Sequence, residues 1–392
     1  MGLGAWRKIV PLIGLQQKAP DVRRMKRRGC ARVLTSPCVA GRTKKKRNTL
    51  PRDFVELLKS GDLATLQAVF ETCDVDAREG FAKRTALAFD ECPDALARWL
   101  VSRGADLGAT DTWGNTPLHS RARSWRSNIA VLLELGADVN ADTASIGTPL
   151  HAAADSKHAE TARQLLLHGA RVDALNKEGL TPLEIALRGC NNADLDRMPA
   201  FVKVMLDAGA ARTPAMKSFV EQVGKSFEFH REGFNPEGVA AASAALDFLY
   251  ATFEVTPVPR RHVHDGAAPI TLKATTWQRQ HAELWDLLVP SSGPAKTLQG
   301  EVIRITGRLS NEWEGNGGVN WDRDYAEMAG SMAGYVQRGT PLGPTEIAEI
   351  ESIVGSLRDR NGAGNDRLAE LAVAWVSKNP QPLALEKPRY KR

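Results

Sequence analysis

Thr148-Pro149-Leu150-His151, with Leu165-Leu166 and Gly169-Ala170 behind it, is the stretch on which the fold turns. Its first part returns as Thr116-Pro117-Leu118-His119 and Thr181-Pro182-Leu183-Glu184, and in weaker form as Thr85-Ala86-Leu87-Ala88. The successive threonines are 31, 32 and 33 residues apart. A second anchor keeps the same phase: Leu100-Val101 before Gly104-Ala105, Leu132-Leu133 before Gly136-Ala137, and Met205-Leu206 before Gly209-Ala210. Two anchors sharing one period specify an internal repeat of about 33 residues.

The residue types explain why the spacing holds. Thr caps a helix start through its hydroxyl, Pro suits the first helical turn, and Leu carries that turn into the core. Gly after the second helix takes the left-handed backbone that ends it. Each unit is a helix pair whose apolar face only the next pair can cover, so stability comes from stacking. The pattern resembles the ankyrin repeat family, with residues 148–173 the best single match. The fold expected is all-α: an ankyrin-repeat solenoid of helix pairs with β-hairpin tips, then a helical bundle, behind a disordered basic N-terminal tail. Four repeats are expected, the first degenerate. An N-terminal cap precedes them, a helix pair around Ser60-Gly61-Asp62 carrying Phe54, Leu58, Leu66 and Phe70.

The resemblance also implies where a protein partner docks, on the hairpin tips and the concave face of the first helices. The tips map to Asp111, Thr112 and Trp113, to Asp142 with its neighbours, and to Asn176, Lys177 and Glu178. The concave candidates are Ser120, Arg123, Ala152 and Asp155. Trp113 is the foremost of these, because a Trp on a tip is a natural anchor. His119 and His151 are expected to brace adjoining repeats rather than bind metal. Two residues depart from the family pattern: Arg121 stands where a small residue is usual, and Trp125 where Gly is usual. The second repeat should pack irregularly as a result. The fourth is lengthened, with 28 residues from Thr181 to Gly209 against 21 from Thr148 to Gly169, and the surplus around Gly189–Pro199 should loop out.

The expected organisation is a basic tail over 1–50, capped repeats over 51–212, capping helices over 213–255, a linker over 256–272 and a helical bundle over 273–392. Apolar stripes place five helices in the last segment; one carries Leu298, Val302, Ile305 and Leu309 at spacings of four, three and four. The helical half resembles a region of uncharacterised bacterial ankyrin proteins. Its most unusual stretch, Thr297 to Arg308, offers a possible polar site of Glu301, Arg304 and Arg308, with Asp322 nearby. A solvated charged helix face is the plainer expectation for the same residues.

Charge is divided unevenly. Residues 1–50 hold 14 Lys and Arg against the single acid Asp21, while the rest of the chain holds 38 basic and 45 acidic residues. The pI thus reflects the tail, which suits polyanion contact but has only Trp6 for base stacking. Nucleic-acid binding is expected only through that tail. A transit peptide has the same composition, and the abrupt onset of pattern near Leu50 places the expected native start downstream of Met1. Five scattered cysteines read as reduced thiols. No apolar run approaches the roughly 18 residues of a membrane span. No cofactor motif, metal spacing or catalytic constellation emerges; His262, His264 and Asp265 sit in one loop and make a weak ligand set. A cytoplasmic protein-binding adaptor, or an antitoxin or immunity factor, is therefore expected ahead of an enzyme acting through the helical half.

Overall fold

The computed structural model describes residues 45–358 and 361–391; the expectations for residues 1–44 lie outside them. The described chain forms two compact units, one of residues up to 228 with 234–258, the other of residues 229–233 with 259–391. No helix among the described residues is long and apolar enough to cross a membrane.

The first unit is all but entirely helical. A short parallel strand pair, β1 (Arg47–Thr49) and β2 (Cys73–Arg78), flanks the cap helices α1 (Phe54–Ser60) and α2 (Leu63–Thr72). Order therefore begins inside the stretch assigned to the basic tail. Lys46 donates to Phe70 O at 2.6 Å, which sets its charge against the carbonyl end of α2. Leu50 is already core. The repeats follow as α3 (Asp94–Ser102), α4 (Pro117–Arg123), α5 (Ala130–Glu134), α6 (Pro149–Asp155), α7 (Ala159–Leu167), α8 (Pro182–Arg188) and α9 (Met198–Asp207). Then come α10 (Pro214–His230) and α11 (Pro236–Phe253). Leu118, Leu150 and Leu183, the third residues of the repeated motif, are completely buried. Gly104, Gly136, Gly169 and Gly209 stop the second helices with φ between 88 and 91°, a conformation that strains any residue with a Cβ.

The two framework histidines do what their position implies. His119 Nδ1 lies 2.8 Å from the Thr116 hydroxyl and its Nε2 lies 2.8 Å from Gly147 O in the next repeat. His151 repeats this with Thr148 at 3.0 Å and Leu180 O at 3.0 Å. Glu184 holds the equivalent place in the last repeat. It accepts from the Thr181 amide at 2.9 Å and from the Thr213 hydroxyl at 2.5 Å. An internal repeat presents a carbonyl and needs an N–H donor; the end of the stack presents a hydroxyl and suits a carboxylate.

The irregular repeats have physical causes. The first repeat forms only a 3₁₀ turn at Ala86–Ala88 instead of an α-helix. Arg121 is buried beside it and donates to Leu87 O at 2.9 Å, Cys92 O at 3.2 Å and Asn128 O at 3.2 Å. A small side chain there would leave these buried carbonyls without donors. The neighbouring α5 is reduced to five residues.

The second unit holds α12 (Trp277–Leu288), α13 (Leu298–Ser310), α14 (Arg323–Tyr335), α15 (Pro344–Ser356) and α16 (Asn365–Lys378). These five helices stand where the apolar stripes put them. Trp375, Leu298, Val302, Ile305, Leu309, Met328 and Met332 form the core. The chain after α16 returns along α13: Leu298 N donates to Leu383 O at 2.8 Å, and Gln299 Nε2 donates to Asn379 O and Gln381 O at 2.9 and 2.7 Å.

Candidate functional site

The hairpin tips are shaped by side chains bonded to their own backbone. In the second tip the Asp111 carboxylate accepts from the Trp113 and Asn115 amides, each at 2.8 Å, and from Asn115 Nδ2 at 2.9 Å. In the fourth, Asn176 Oδ1 accepts from the Glu178 and Leu180 amides at 2.9 Å. Asn176 is consequently buried, unlike the exposed contact residue expected, and shapes the turn that presents Lys177 and Glu178 to solvent. The Thr112 hydroxyl donates to Ala82 O at 2.8 Å and so ties the second tip to the first. Asp142 stands exposed on the third tip, which is tied to the second by the Thr143 hydroxyl on Gly114 O at 2.7 Å.

Trp113 is 53% exposed and meets Phe81, itself 88% exposed, edge to face with ring centroids 6.3 Å apart. Phe81 escapes sequence reasoning because the degraded first repeat leaves its tip without an anchor. Its signal was an aromatic residue one period before Trp113, 32 positions upstream.

Of the residues expected on the concave face, the structure brings two together: Arg123 and Asp155 pair at 3.3 Å, both half exposed. Ser120 sits on the same helix as Arg123, half-buried, and Ala152 is buried. Glu178 pairs with Arg188 at 2.6 Å. Such pairs contribute under about 1 kcal/mol each and matter for complementarity more than stability.

A further cluster joins the helix–helix turns. Trp125 meets His158 edge-on at 4.3 Å, and the Arg197 guanidinium lies 4.8 Å from the Trp125 ring centroid. Buried Lys157 pairs with Asp194 at 3.1 Å and donates to Gly189 O at 2.9 Å, while Arg197 pairs with Asp194 at 2.8 Å. The surplus of the fourth repeat is pinned here rather than left to loop freely. Burial pushes the Cys92 thiol up to about 11 and the Cys190 thiol up to about 12, which keeps both protonated and unreactive.

The expected polar set of the helical unit splits in two. Glu301 and Arg304 are core residues with virtually no exposure, neither a solvated face nor a cleft. Arg304 Nε and Nη2 meet the Glu301 carboxylate at 2.9 and 2.6 Å, and Glu301 also accepts from the Ala295 amide at 2.9 Å. The Tyr390 hydroxyl closes the group by donating to Glu301 at 2.6 Å; burial and the carboxylate push its pKa up. Asp322 caps α14 by accepting from the Tyr325 amide at 3.0 Å. Arg308 lines a cleft of about 850 Å³ with residues of α12, α13 and α16. In the loop considered for metal, His264 Nδ1 accepts from the Gly266 amide at 3.0 Å and makes a turn. Among the described residues no three His, Cys, Asp or Glu side chains are grouped to hold a metal ion.

A family model described as ankyrin repeats in three copies matches residues 85–176 and, in an overlapping second placement, residues 129–211. No curated protein matches the chain.

Proposed function

We propose, on the premise that residues 85–211 are ankyrin repeats, that the chain holds a protein partner across its hairpin tips with Phe81 and Trp113 as anchors. Ankyrin repeats support a protein–protein interaction role in general, and the exposed aromatic pair on neighbouring tips is the observation that favours the tips as its surface. Two large apolar rings kept in water on turns tied down by Asp111 and Thr112 form a preorganised contact, so little ordering entropy is lost on docking. Aromatic residues of this kind dominate binding energy at interfaces.

Phe81→Ala with Trp113→Ala tests this. Exposed side chains removed from a tip alter stability by no more than about 0.5 kcal/mol, whereas each lost anchor costs about 2 kcal/mol of binding or more. Native-cell cross-linking with both forms should recover a partner with the wild-type chain and lose it with the double variant. Equal recovery by the two forms rejects the tips as the binding surface. The same grip serves an adaptor and an antitoxin or immunity factor. Expression of the recovered partner alone separates them, since only the target of an immunity factor is toxic without its binder. An enzymatic helical half would have to work from the cleft beside Arg308, because Glu301 and Arg304 are closed to solvent.

A further inference from the structure

We propose that the cleft of the helical unit binds an organic ammonium group, with Glu314 and Asp366 as its anionic end and Trp277 and Tyr325 as its aromatic wall. At about 850 Å³ the cleft has the size of a small-molecule site. Trp277, His281 and Trp285 recur at i, i+4 and i+8 on α12, so they share one face of that helix and form one side of the cleft.

The back of this wall is built to stay rigid. Trp285 stacks on Phe229 with centroids 6.0 Å apart and an interplanar angle of 11°. Gly307 lies against it as well, where a Cβ would lie 2.2 Å from the indole ring. No side chain is compatible with that position unless Trp285 moves. Asn311, Glu314 and Gly315 of the lining come from a π turn, Asn311–Gly315, which continues α13. Such turns are frequent at functional sites. Glu312 faces inward and is fully buried, accepting from the Asn320 amide at 2.6 Å and from Asn316 and Asn320 side-chain amides at 3.2 Å. Locked in this way, the turn places Glu314 on the cleft.

Charge decides the ligand class. His281 is neutral, since burial pushes its pKa down to about 4 and its Nε2 lies 2.8 Å from the Thr306 hydroxyl. Arg308 and Asp286 are both engaged by interactions of their own. Glu314 is partly desolvated, and the charge that bears on it is the like charge of Asp366, so its carboxyl titrates above the ordinary range. Two carboxylates near one another beside aromatic rings favour a cation, through Coulomb attraction and the ring faces together. An anionic ligand meets repulsion there, and a neutral one leaves the repulsion in place. An alkylammonium group answers both features.

Isothermal titration of the full chain with putrescine, 1,4-butanediol and the methylamide of N-acetyl-lysine tests the proposal. Putrescine should bind saturably at one site per chain, and the uncharged diol of matching length should not. Asp366→Asn and Glu314→Gln should each weaken binding by about tenfold with unchanged circular dichroism, while Glu56→Gln, which is not among the cleft residues, should have no effect. Binding of the lysine derivative without putrescine identifies a protein side chain as the source; binding of putrescine identifies a free amine. Either outcome supports an ammonium site. Equal binding of the diol, equal weakening by Glu56→Gln, binding of neither amine, or saturable Mg²⁺ binding without either amine overturns it.

Discussion

His119 reaches Gly147 and His151 reaches Leu180, 28 and 29 residues along the chain, whereas Gln299 reaches Asn379 and Glu301 is reached by Tyr390, 80 and 89 residues away. The two units solve the same problem, satisfying buried polar groups, at very different separations. In the repeats the distance between partners is close to the period itself. Whatever a side chain does in one repeat, its counterpart does again in the next, and the recurrence exposes it. In the helical unit the partners of α13 lie in the chain after α16, where Leu383 and Tyr390 repeat nothing. A buried ion pair there looks, in one dimension, like an ordinary charged helix face.

That contrast explains what was legible. Thr148, Pro149, His151 and Gly169 carry their structural roles on their surface because capping and helix termination are local chemistry. The five helices of the second unit were legible for the same reason: a stripe such as Leu298, Val302, Ile305 and Leu309 is local too. What was not legible is whatever depends on distant chain. Glu301 and Arg304 are spaced as a surface pair would be, and only the returning segment with Tyr390 turns them into core. Phe81 stayed hidden because one degraded repeat broke the register that would have flagged it. Arg121 was visible as an anomaly, but its purpose required knowing that the preceding repeat ends its first helix after one turn.

The sharpest way to break the comparison is at Glu301. Removing the carboxylate leaves a buried guanidinium unpaired, so Glu301→Ala should destabilise the helical unit by about 3–5 kcal/mol. Urea unfolding followed by tryptophan fluorescence reports this, since five of the nine tryptophans lie at or beyond Trp277. The double variant Glu301→Leu with Arg304→Met should recover most of the loss, because well-packed apolar residues often replace a buried pair without cost. A loss under about 1 kcal/mol for Glu301→Ala would mean that the pair is reached by water, which is what a surface pair gives.

Acid should expose the other side of the comparison. Burial pushes the pKa of both His119 and His151 down. An unfolded imidazole titrates near 6.5, so below that pH the unfolded chain binds more protons than the folded one. The contribution of these histidines is complete above about pH 6.5 and is lost as pH falls toward their folded values. Urea midpoints at pH 7.5, 6 and 5 should therefore decline for the ankyrin unit. His119→Gln with His151→Gln keeps an N–H donor and removes the titration, so the decline should flatten. An unchanged slope would place its origin in the carboxylates instead.

The smallest effect belongs to Glu184, and it sharpens the rule that the framework residue is chosen by what the next element presents. Glu184 faces the Thr213 hydroxyl, and a hydroxyl can donate or accept. Glu184→His keeps an acceptor for the Thr181 amide through Nδ1, as His151 does for Thr148, and offers Nε2–H to a rotated Thr213 hydroxyl. It should cost less than about 1 kcal/mol, the size of one ordinary hydrogen bond. The reverse exchange has no such freedom, because His151 faces Leu180 O, a carbonyl that can only accept. A carboxylate at position 151 would set two acceptors against each other in the core. Thermal melts of Glu184→His beside His151→Glu measure the asymmetry, and equal losses would show that the residue type at this position follows from packing volume rather than from donor and acceptor matching.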